Sequence, residues 1–304
     1  MKKIVITGAT GSIGRRLVQK LVTRRDEVTV FSQNPEHAKK KIANEVRFVK
    51  WNYQKPEKWK EHLNGAASVV HLAGANLSGK RWNDEFKKIA CDSRVLSTRN
   101  LVEAFKSVEK KPKTFICANA VGIYGNRYDE ILDEKSIPGN DFLAILCIDW
   151  ENEAKKIEQQ GVRFVSVRTG LVLAKNEGLM KKLVPSFKIF FGGWLGGGMQ
   201  WFPWIHIDDI VGIYLHTIGN EGLSGAFNAA SPGIVRMKEF AKTLGNVLSR
   251  PALFPVPKFA IIILKGELGK YSTDSQRIAV SKILKSGYEF KFENLKGTLR
   301  NLLK

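Results

Sequence analysis

The first 170 residues alternate short β-branched segments with longer amphipathic ones, and this alternation restricts the possible folds more than any other feature. The first unit is the apolar segment "KIVIT" at 3–7, followed at 12–25 by a stretch that places Leu17 and Leu21 on one helical face. Later strand-like segments lie at 28–32, 46–51, 67–74, 113–119 and 163–169, and helical segments lie at 35–43, 84–106 and around 142–151. Apolar strands that alternate with helices predict an α/β fold, a Rossmann-like doubly wound parallel sheet with helices on both faces.

The second half of the chain follows a different pattern. It begins with a loop rich in glycine and aromatic residues, "FFGGWLGGGMQWFPW" at 190–204. Helical segments follow at 206–218, 237–248 and 293–303, and a short strand is predicted at 225–230. We therefore expect a dinucleotide-binding domain at 1–170, to which residues 205–230 return, and a smaller interleaved C-terminal lobe formed mainly by 171–304.

A glycine-rich loop joins the first predicted strand to the first predicted helix. In "TGATGSIG" at 7–14, Gly8 permits a tight turn, Gly11 lets the backbone approach a pyrophosphate, and Gly14 permits close packing of helix on strand. The free amides and the positive end of the helix then favour phosphate. The predicted cofactor contacts in this loop are Gly8, Thr10, Gly11, Ser12, Ile13 and Gly14.

The segment after the second strand indicates which dinucleotide is bound. An acid at this position would hold the ribose diol of NAD and repel a 2′-phosphate. The sequence here is "FSQNP" at 31–35, which has no acid. We therefore predict that Ser32 and Gln33, with Arg15 and Arg16 nearby, favour NADP(H) over NAD(H).

Two further strand ends complete the predicted cofactor site. Leu72, Ala73 and Gly74 end the fourth strand with residues that let a ribose approach, whereas His71 beside them is expected to pack in the strand. Arg168, at the end of a later strand, is assigned to the same site. The segment "WNY" at 51–53 is predicted to lie beside the adenine.

The composition limits the kinds of partner that the protein can be expected to bind. The chain has 49 Lys and Arg against 29 Asp and Glu, a net charge of +20, but the basic clusters are not interleaved with aromatic residues, so nucleic acid is only a minor alternative. Three cysteines without ligand spacing predict free thiols and no metal site. There is no apolar run of roughly 18 residues, and Met1 leads directly into a strand, so we expect a cytoplasmic protein without a membrane span.

Taken together, the motifs resemble those of the extended short-chain dehydrogenase/reductases, the NAD-dependent epimerase/dehydratase superfamily, and within it an "epimerase family" subgroup. The segments that carry the resemblance are "TGATGSIG" (7–14), "HLAGANLSGKRW" (71–82), "SRVLSTRNLVEA" (93–104), "NAVGIYG" (119–125), "GNDFLAILCIDWE" (139–151), "RTGLVL" (168–173) and "QWFPWIHIDDI" (200–210). The resemblance implies a nucleotide domain, a smaller substrate lobe and an active site in the cleft between them.

The resemblance also implies a catalytic set of Asn, Ser or Thr, Tyr and Lys, and this chain departs from it. With Glu151 as the reference, the Lys position is Cys147 and the Tyr position is Leu143; the other register gives Leu146 and Phe142. The Ser position falls on Ala120 and the Asn position on Arg94.

Several polar residues remain as candidates for the chemistry. The weak catalytic candidates are Tyr124, Asn119 and Cys147, whereas Arg94 and Arg168 could bind an anionic substrate group. His206, before Asp208 and Asp209, is expected to be structural, with an Asp capping the helix and the His packed.

Two functions follow from this pattern. The first is an NADP(H)-binding oxidoreductase or epimerase-like enzyme that acts on a small carbonyl or sugar-nucleotide-like substrate without the Tyr-x-x-x-Lys pair. The alternative is a non-catalytic NADP(H)-binding sensor or scaffold. We expect a small-molecule substrate and a monomer or homodimer.

Overall fold

Seven strands form one parallel sheet in the computed structural model, which describes residues 1–42 and 46–304. They are β1 (Lys3–Thr7), β2 (Glu27–Ser32), β3 (Arg47–Lys50), β4 (Ser68–His71), β5 (Thr114–Ala120), β7 (Arg163–Thr169) and β11 (Gly225–Ala229). Their spatial order is β11-β7-β5-β4-β1-β2-β3, and every pairing is parallel. The predicted Rossmann-like α/β fold is confirmed, and the strand predicted at 225–230 extends the sheet beside β7.

Helices cover both faces of this sheet. The helices are α1 (Ser12–Thr23), α2 (Pro35–Lys39), α3 (Asp84–Cys91), α4 (Ser97–Ala104), α5 (Phe142–Lys155), α6 (Gly178–Lys188), α7 (Ile207–Gly219), α8 (Met237–Leu248), α9 (Lys258–Lys265), α10 (Ser281–Lys285) and α11 (Leu295–Leu303). The helix predicted at 35–43 is shorter than expected, and residue 43 lies outside the described residues. No helix in the described ranges combines the length and the apolar character that a membrane span requires.

Two hydrophobic cores lie on opposite faces of the sheet because successive residues of a strand point to opposite sides. Ile4 and Ile6 of β1 belong to one core and Val5 to the other. The first core also contains residues of α1, α7 and α8, and the second contains residues of α4 and α5. Burial on both faces explains why the strands are continuously apolar rather than alternating.

The segment predicted as one helix at 84–106 is interrupted. A π-helical turn at Asp92–Leu96 separates α3 from α4, and the Ser97 hydroxyl donates to the carbonyl oxygens of Ser93 and Arg94 in this turn. A π turn changes the direction of the side chains that follow it and is frequent at functional sites. The side chain of Arg94 leaves the helix within this turn.

The remaining elements lie beyond the sheet and are short. Their strands are β6 (Ile131–Leu132) paired with β13 (Arg277–Ile278), β8 (Leu171–Leu173) with β10 (Trp204–His206), and β9 (Trp201–Phe202) with β12 (Val235–Arg236). The buried Asp209 carboxylate attaches the C-terminal segment to α7, because it accepts hydrogen bonds from the backbone amides of Lys291 and Phe292.

Candidate cofactor and substrate site

The glycine loop after β1 has the geometry that a phosphate site needs. Gly8 has a φ of +68°, and a Cβ there would lie 2.6 Å from the carbonyl carbon of Leu72. A Cβ on Gly14 would lie 2.6 Å from the Cα of Ala9, so both positions exclude larger residues. Gly11 differs because its φ is −74° and a Cβ would approach only the Gly8 carbonyl oxygen, at 3.4 Å. The backbone at Gly11 is therefore exposed to the space above the loop.

Two cavities, each of about 410 Å³, lie on either side of this loop and share Gly8 in their walls. The first cavity extends from the loop to α5 and the ends of β5 and β7, and the second extends along the ends of β2 and β4. Gly11, Ser12, Ile13 and Gly14 line the first cavity, with Leu72. Thr10, Ala73 and Gly74 line the second. The structure thus places all of these predicted cofactor contacts in the walls of two neighbouring cavities that share Gly8.

The second cavity contains the residues predicted to select the dinucleotide. Ser32 and Gln33 lie in its wall, together with Trp51 and Tyr53 from the segment predicted to contact adenine. His37 also lines it, which the sequence did not indicate. No described Asp or Glu lines this cavity. A negatively charged group at its end would therefore meet no nearby carboxylate.

The position of Arg15 and Arg16 does not support their predicted role beside the ribose. Both guanidinium groups pair with the carboxylate of Glu177, each at 3.1 Å, and neither lines the second cavity. These pairs and the Ser12 hydroxyl outweigh the effect of burial and lower the pKa of Glu177. Glu177 is 162 residues from Arg15 in the chain, so no local pattern could have predicted the contact.

The first cavity has an apolar wall where the family pattern would place Tyr and Lys. Leu143, Leu146, Cys147 and Trp150 of α5 line it, with Ala120 opposite on β5. The alignment on Glu151 therefore identified positions that do face the cavity. Aliphatic side chains and a buried thiol stand there instead of a phenol and an amine.

Arg168 and Tyr124 lie outside both cavities and form part of a buried hydrogen-bond network. The Arg168 guanidinium donates to the Glu151 carboxylate at 2.6 and 3.1 Å and to the Tyr124 hydroxyl at 2.9 Å. The Tyr124 hydroxyl in turn donates to Asn228 at 2.7 Å. The structure therefore supports neither the predicted cofactor role of Arg168 nor the predicted catalytic role of Tyr124.

Asn119 connects this network to the cavity wall. Its amide nitrogen donates to the Glu151 carboxylate at 3.0 Å and to the Cys147 carbonyl oxygen at 3.1 Å, and its oxygen accepts from the amide of Ala120. Asn119 lines the first cavity, but both of its polar atoms already have partners. A structural role in holding α5 against β5 accounts for these contacts.

The ion pair between Arg168 and Glu151 determines the protonation of the groups in this buried network. Burial alone would raise the pKa of Glu151, but Arg168, Ser166 and Asn119 outweigh it and lower the pKa of that carboxyl. Burial likewise opposes the charge of Arg168, and the Glu151 carboxylate more than compensates, which raises the pKa of the guanidinium. Burial raises the pKa of Tyr124 despite Arg168 beside it. The pair is charged and the phenol is neutral at pH 7.

Cys147, a catalytic candidate from the sequence, lines the first cavity, but its environment disfavours the thiolate. Burial raises the pKa of Cys147 to about 12, and the nearby Arg94 only partly opposes that effect. A thiol with such a pKa is neither a nucleophile nor a proton donor of useful strength at pH 7. The position of Cys147 therefore supports a packing role.

Thiol labelling tests whether Cys147 is a buried, unreactive residue. We expect Ellman's reagent at pH 8 to modify at most the half-buried Cys91 in the folded protein, because Cys117 and Cys147 are buried and their pKa values are raised. All three thiols should react after unfolding in guanidinium chloride. A Cys91→Ser variant should show no reactive thiol while folded, and rapid modification of Cys147 in that variant would contradict this assignment.

The two candidate histidines are structural. The buried His71 bonds to the Thr7 hydroxyl at 2.7 Å, and burial lowers the pKa of the imidazole to about 3. His206 is stacked on Phe292, and its Nδ1 accepts from the amide of Asp208. The expectation that an Asp caps α7 was wrong, since the His206 side chain is the cap.

Two aromatic residues of the first cavity were missed from the sequence. Trp150 lies 5.4 Å below the Arg94 guanidinium, and Tyr214 of α7 lines the cavity near Thr169. The buried Tyr214 hydroxyl makes no hydrogen bond of standard geometry with a described residue. Burial raises its pKa, and Thr169 offsets only part of that effect. The apolar spacing of these helices indicated only core packing, so no sequence signal distinguished these residues.

Comparison with protein families agrees with this site. The model of the NAD dependent epimerase/dehydratase family matches residues 4–230, which contain both cavities' principal walls, and a domain of unknown function, DUF1731, matches residues 256–302. A chloroplastic epimerase family protein of Arabidopsis thaliana, the SDR39U1 homolog, is 36% identical over 302 residues, covering 99% of this chain and 86% of that protein. An epimerase family protein of Staphylococcus haemolyticus is 34% identical over 304 residues, covering 100% and 99% of the two chains.

Solved structures give the same result. The human epimerase family protein SDR39U1, solved with NADPH, superposes with a TM-score of 0.89 at 29% identity and covers 99% of this chain and 98% of its own. A nucleoside-diphosphate sugar epimerase of Corynebacterium glutamicum has a TM-score of 0.77 at 32% identity, covering 99% of this chain and 58% of its own.

Proposed function

Because the chain belongs to the NAD dependent epimerase/dehydratase family, we propose that it binds NADP(H) and transfers a hydride between this cofactor and a small carbonyl compound or the corresponding alcohol. The observation that carries the proposal is the glycine loop at Gly8, which lies between two cavities and contributes to the wall of each. In this proposal the first cavity holds the reacting end of the cofactor and the substrate, and the second holds the adenosine end. The Tyr-x-x-x-Lys pair takes no part, since Leu143 and Cys147 occupy its positions.

The residues present suit a dinucleotide. The free backbone above Gly11 and the N-terminus of α1, which has no acid in its first turn, favour a pyrophosphate. Ala73 and Gly74 would allow a ribose close to β4.

The second cavity favours the phosphorylated dinucleotide. A 2′-phosphate beside Ser32 and Gln33 would be surrounded by hydroxyl, amide and imidazole groups. NADP(H) binding by the human relative at 29% identity supports the same choice. We therefore propose NADP(H) as the cofactor in preference to NAD(H).

The protein's own contribution to the reaction is an apolar, positioned cavity. Bound NADPH supplies a hydride, and the apolar side chains of Leu143 and Leu146 would form the wall beside it. Arg94 contributes the positive charge on this wall. The proton that balances a reduced carbonyl oxygen would come from water, because Leu143 and Ala120 carry no exchangeable side-chain proton and the Cys147 thiol stays protonated.

A two-stage experiment tests the function. NADPH and NADH are first titrated into the purified protein by fluorescence, and tight, preferential NADPH binding is expected. NADPH oxidation is then followed at 340 nm with a panel of small ketones, aldehydes and sugar nucleotides. Turnover of a small carbonyl supports the enzyme, whereas failure to bind either dinucleotide would refute the proposal.

A single substitution should reverse the cofactor preference. Ser32→Asp introduces a carboxylate at the end of β2, and it keeps an acceptor for the Asn34 amide that Ser32 now binds. We expect at least a tenfold loss of NADPH affinity through repulsion of the 2′-phosphate, with NADH affinity retained. Titration of both dinucleotides measures this. Ser32→Asn is the uncharged control, and an equal loss in both variants would assign the effect to shape rather than charge.

A non-catalytic NADP(H) sensor is the second candidate. It is favoured by the wall of Ala120, Leu143 and Cys147, which offers no proton donor where the family pattern has one. Tight NADPH binding without turnover across the panel would favour the sensor. The two functions share the cofactor site and differ only in the chemistry beside it.

A further inference from the structure

We propose that Arg94 binds a carboxylate group of an otherwise apolar substrate in the first cavity. This inference rests on the proposed function because it names the substrate class of the same cavity. It assigns a role to a residue that replaces the Asn of the family pattern. Arg94 is charged, has no counter-ion in the described structure and lies against an apolar wall.

The π turn at Asp92–Leu96 directs the Arg94 side chain across the end of β4. Its guanidinium reaches Gly74, where a Cβ would lie only 3.0 Å from the Arg94 Cζ, and it stacks over Trp150. It donates to the carbonyl oxygens of Ala75 at 3.0 Å and Ala90 at 3.3 Å. These contacts fix the side chain while it lines the first cavity. A guanidinium has five N–H donors, so donors remain for a ligand.

Arg94 forms no ion pair with any residue in the described ranges 1–42 and 46–304. Burial lowers the pKa of the Arg94 guanidinium. The groups that partly oppose this effect are the thiols of Cys147 and Cys91, and no carboxylate is among them. The guanidinium nevertheless stays charged at pH 7. Arg168 provides the internal contrast, because burial of that guanidinium is compensated by Glu151 at 2.6 Å. A desolvated cation without a partner carboxylate is a costly arrangement that an anionic ligand would relieve.

The wall around Arg94 suits hydrocarbon rather than sugar. Leu143, Leu146 and Leu77 surround the cavity with the indole of Trp150. The polar side chains nearby already have partners, since Asn119 bonds to Glu151 and the Thr169 hydroxyl donates to the carbonyl oxygen of Val167. The carboxylate of Glu177, which also lines this cavity, is paired with Arg15 and Arg16. The hydroxyl groups of a sugar would lose their water here without finding partners. One carboxylate on an apolar body matches both the single cation and the wall.

The cofactor itself is the other source of an anion. Its pyrophosphate is expected at the α1 N-terminus, where Gly11 and Ser12 line the same cavity. If Arg94 bound that pyrophosphate, substitution of Arg94 would weaken NADPH binding and leave carboxylate binding unchanged. Separate titrations of the two ligands therefore distinguish the sources.

The experiment uses the full chain, loaded with NADP⁺ so that no turnover occurs, and hexanoate as the probe. Calorimetry compares hexanoate with hexanamide, which has the same shape without the charge, and with UDP-glucose. We expect hexanoate to bind at least about tenfold more tightly than either, because charged hydrogen bonds contribute more than neutral ones. Equal affinity for acid and amide, no measurable hexanoate binding, or stronger binding of UDP-glucose would overturn the proposal.

Two variants connect the effect to Arg94. Arg94→Met, which keeps a long apolar side chain over Trp150, should lose at least tenfold in hexanoate affinity and keep NADPH affinity within about threefold. Arg94→Lys should restore part of the hexanoate affinity. The opposite pattern, weak NADPH binding with unchanged hexanoate binding, would assign Arg94 to the cofactor.

Failure of the proposed function gives a different result. If the wild-type protein binds neither NADPH nor NADP⁺, the proposed function fails, and hexanoate titration of the cofactor-free protein still decides the role of Arg94. Thermal unfolding of each variant separates lost binding from a lost fold.

Discussion

Gly11→Asp is expected to weaken NADPH binding at least about 100-fold while leaving the protein folded. The φ of −74° at Gly11 is accessible to any residue, and a Cβ there meets only the Gly8 carbonyl oxygen, at 3.4 Å. A carboxylate in the first cavity would, however, face the pyrophosphate, and two negative charges a few ångströms apart cost roughly 3 kcal/mol, which is about two orders of magnitude in affinity.

Stability should change in the opposite direction. Gly11 is the N-cap of α1 and provides no side-chain cap, whereas Asp is among the preferred N-cap residues and would add roughly a few tenths of a kcal/mol. Fluorescence titration with NADPH and urea unfolding measure the two effects. Gly11→Asn is the matched control, because it has the size and capping ability of Asp without its charge. Undiminished NADPH binding by Gly11→Asp would show that the loop does not hold the phosphates.

Arg168→Met is expected to lower the free energy of unfolding by about 3 kcal/mol, the largest stability effect among these variants. The substitution leaves the Glu151 carboxylate buried without its cation, and the side chains of the pair are only 8% and 15% exposed. Urea unfolding at pH 7 measures the change. The expected loss is much greater than for an exposed pair, because solvent does not replace the missing partner.

Two controls fix the interpretation. Arg99→Met removes a 52% exposed arginine from the Glu153 carboxylate of α5, and Lys156 still contacts that carboxylate, so less than about 1 kcal/mol should be lost. The double variant Glu151→Leu with Arg168→Met should recover part of the loss, since it removes both charges. A loss from Arg168→Met no larger than that from Arg99→Met would contradict the structural role of the network.

The pH dependence of the same pair has a definite sign. The folded pKa of Glu151 is lowered, so the pair stabilises the protein above the unfolded pKa, about 4.3, and this contribution is lost as the pH falls through the folded value. In Arg168→Met the buried carboxyl of Glu151 lacks its cation, so protonation of that carboxyl stabilises the folded protein. The difference in unfolding free energy between the two proteins should therefore shrink as the pH falls from 7 toward the lowered folded pKa of Glu151. Urea unfolding at several pH values measures it, and a constant difference would exclude Glu151 as its origin.

The order of elements along the chain follows from local pattern alone. Strand β1 and helix α1 were predicted almost to the residue, because a buried parallel strand and an amphipathic helix each require a characteristic apolar spacing. The phosphate loop was equally predictable, since Gly8 and Gly14 have no room for a Cβ. The π turn at Asp92–Leu96 was not, because it adds one residue to a turn without changing the helical composition around it.

Side-chain partners were the least predictable part of the site. Arg15 was assigned to the ligand as a residue near the predicted site, and Arg168 as a residue at a strand end. In the folded chain they pair with Glu177 and Glu151 instead. An arginine side chain pairs readily with a carboxylate nearby. Which carboxylate lies nearby depends on contacts between residues that are far apart in the sequence. Arg94 differs from these two arginines because no described carboxylate forms an ion pair with it.

The sequence by itself thus determined the parallel sheet and the glycine loop, since apolar spacing and glycine are local properties. Only the tertiary structure decided which polar groups face the cavities. It withdrew Tyr124 and Arg168 into a buried network and left Arg94 against an apolar wall. Burial and long-range pairing set the charge and the free hydrogen-bonding groups of the site, and neither can be derived from the order of residues.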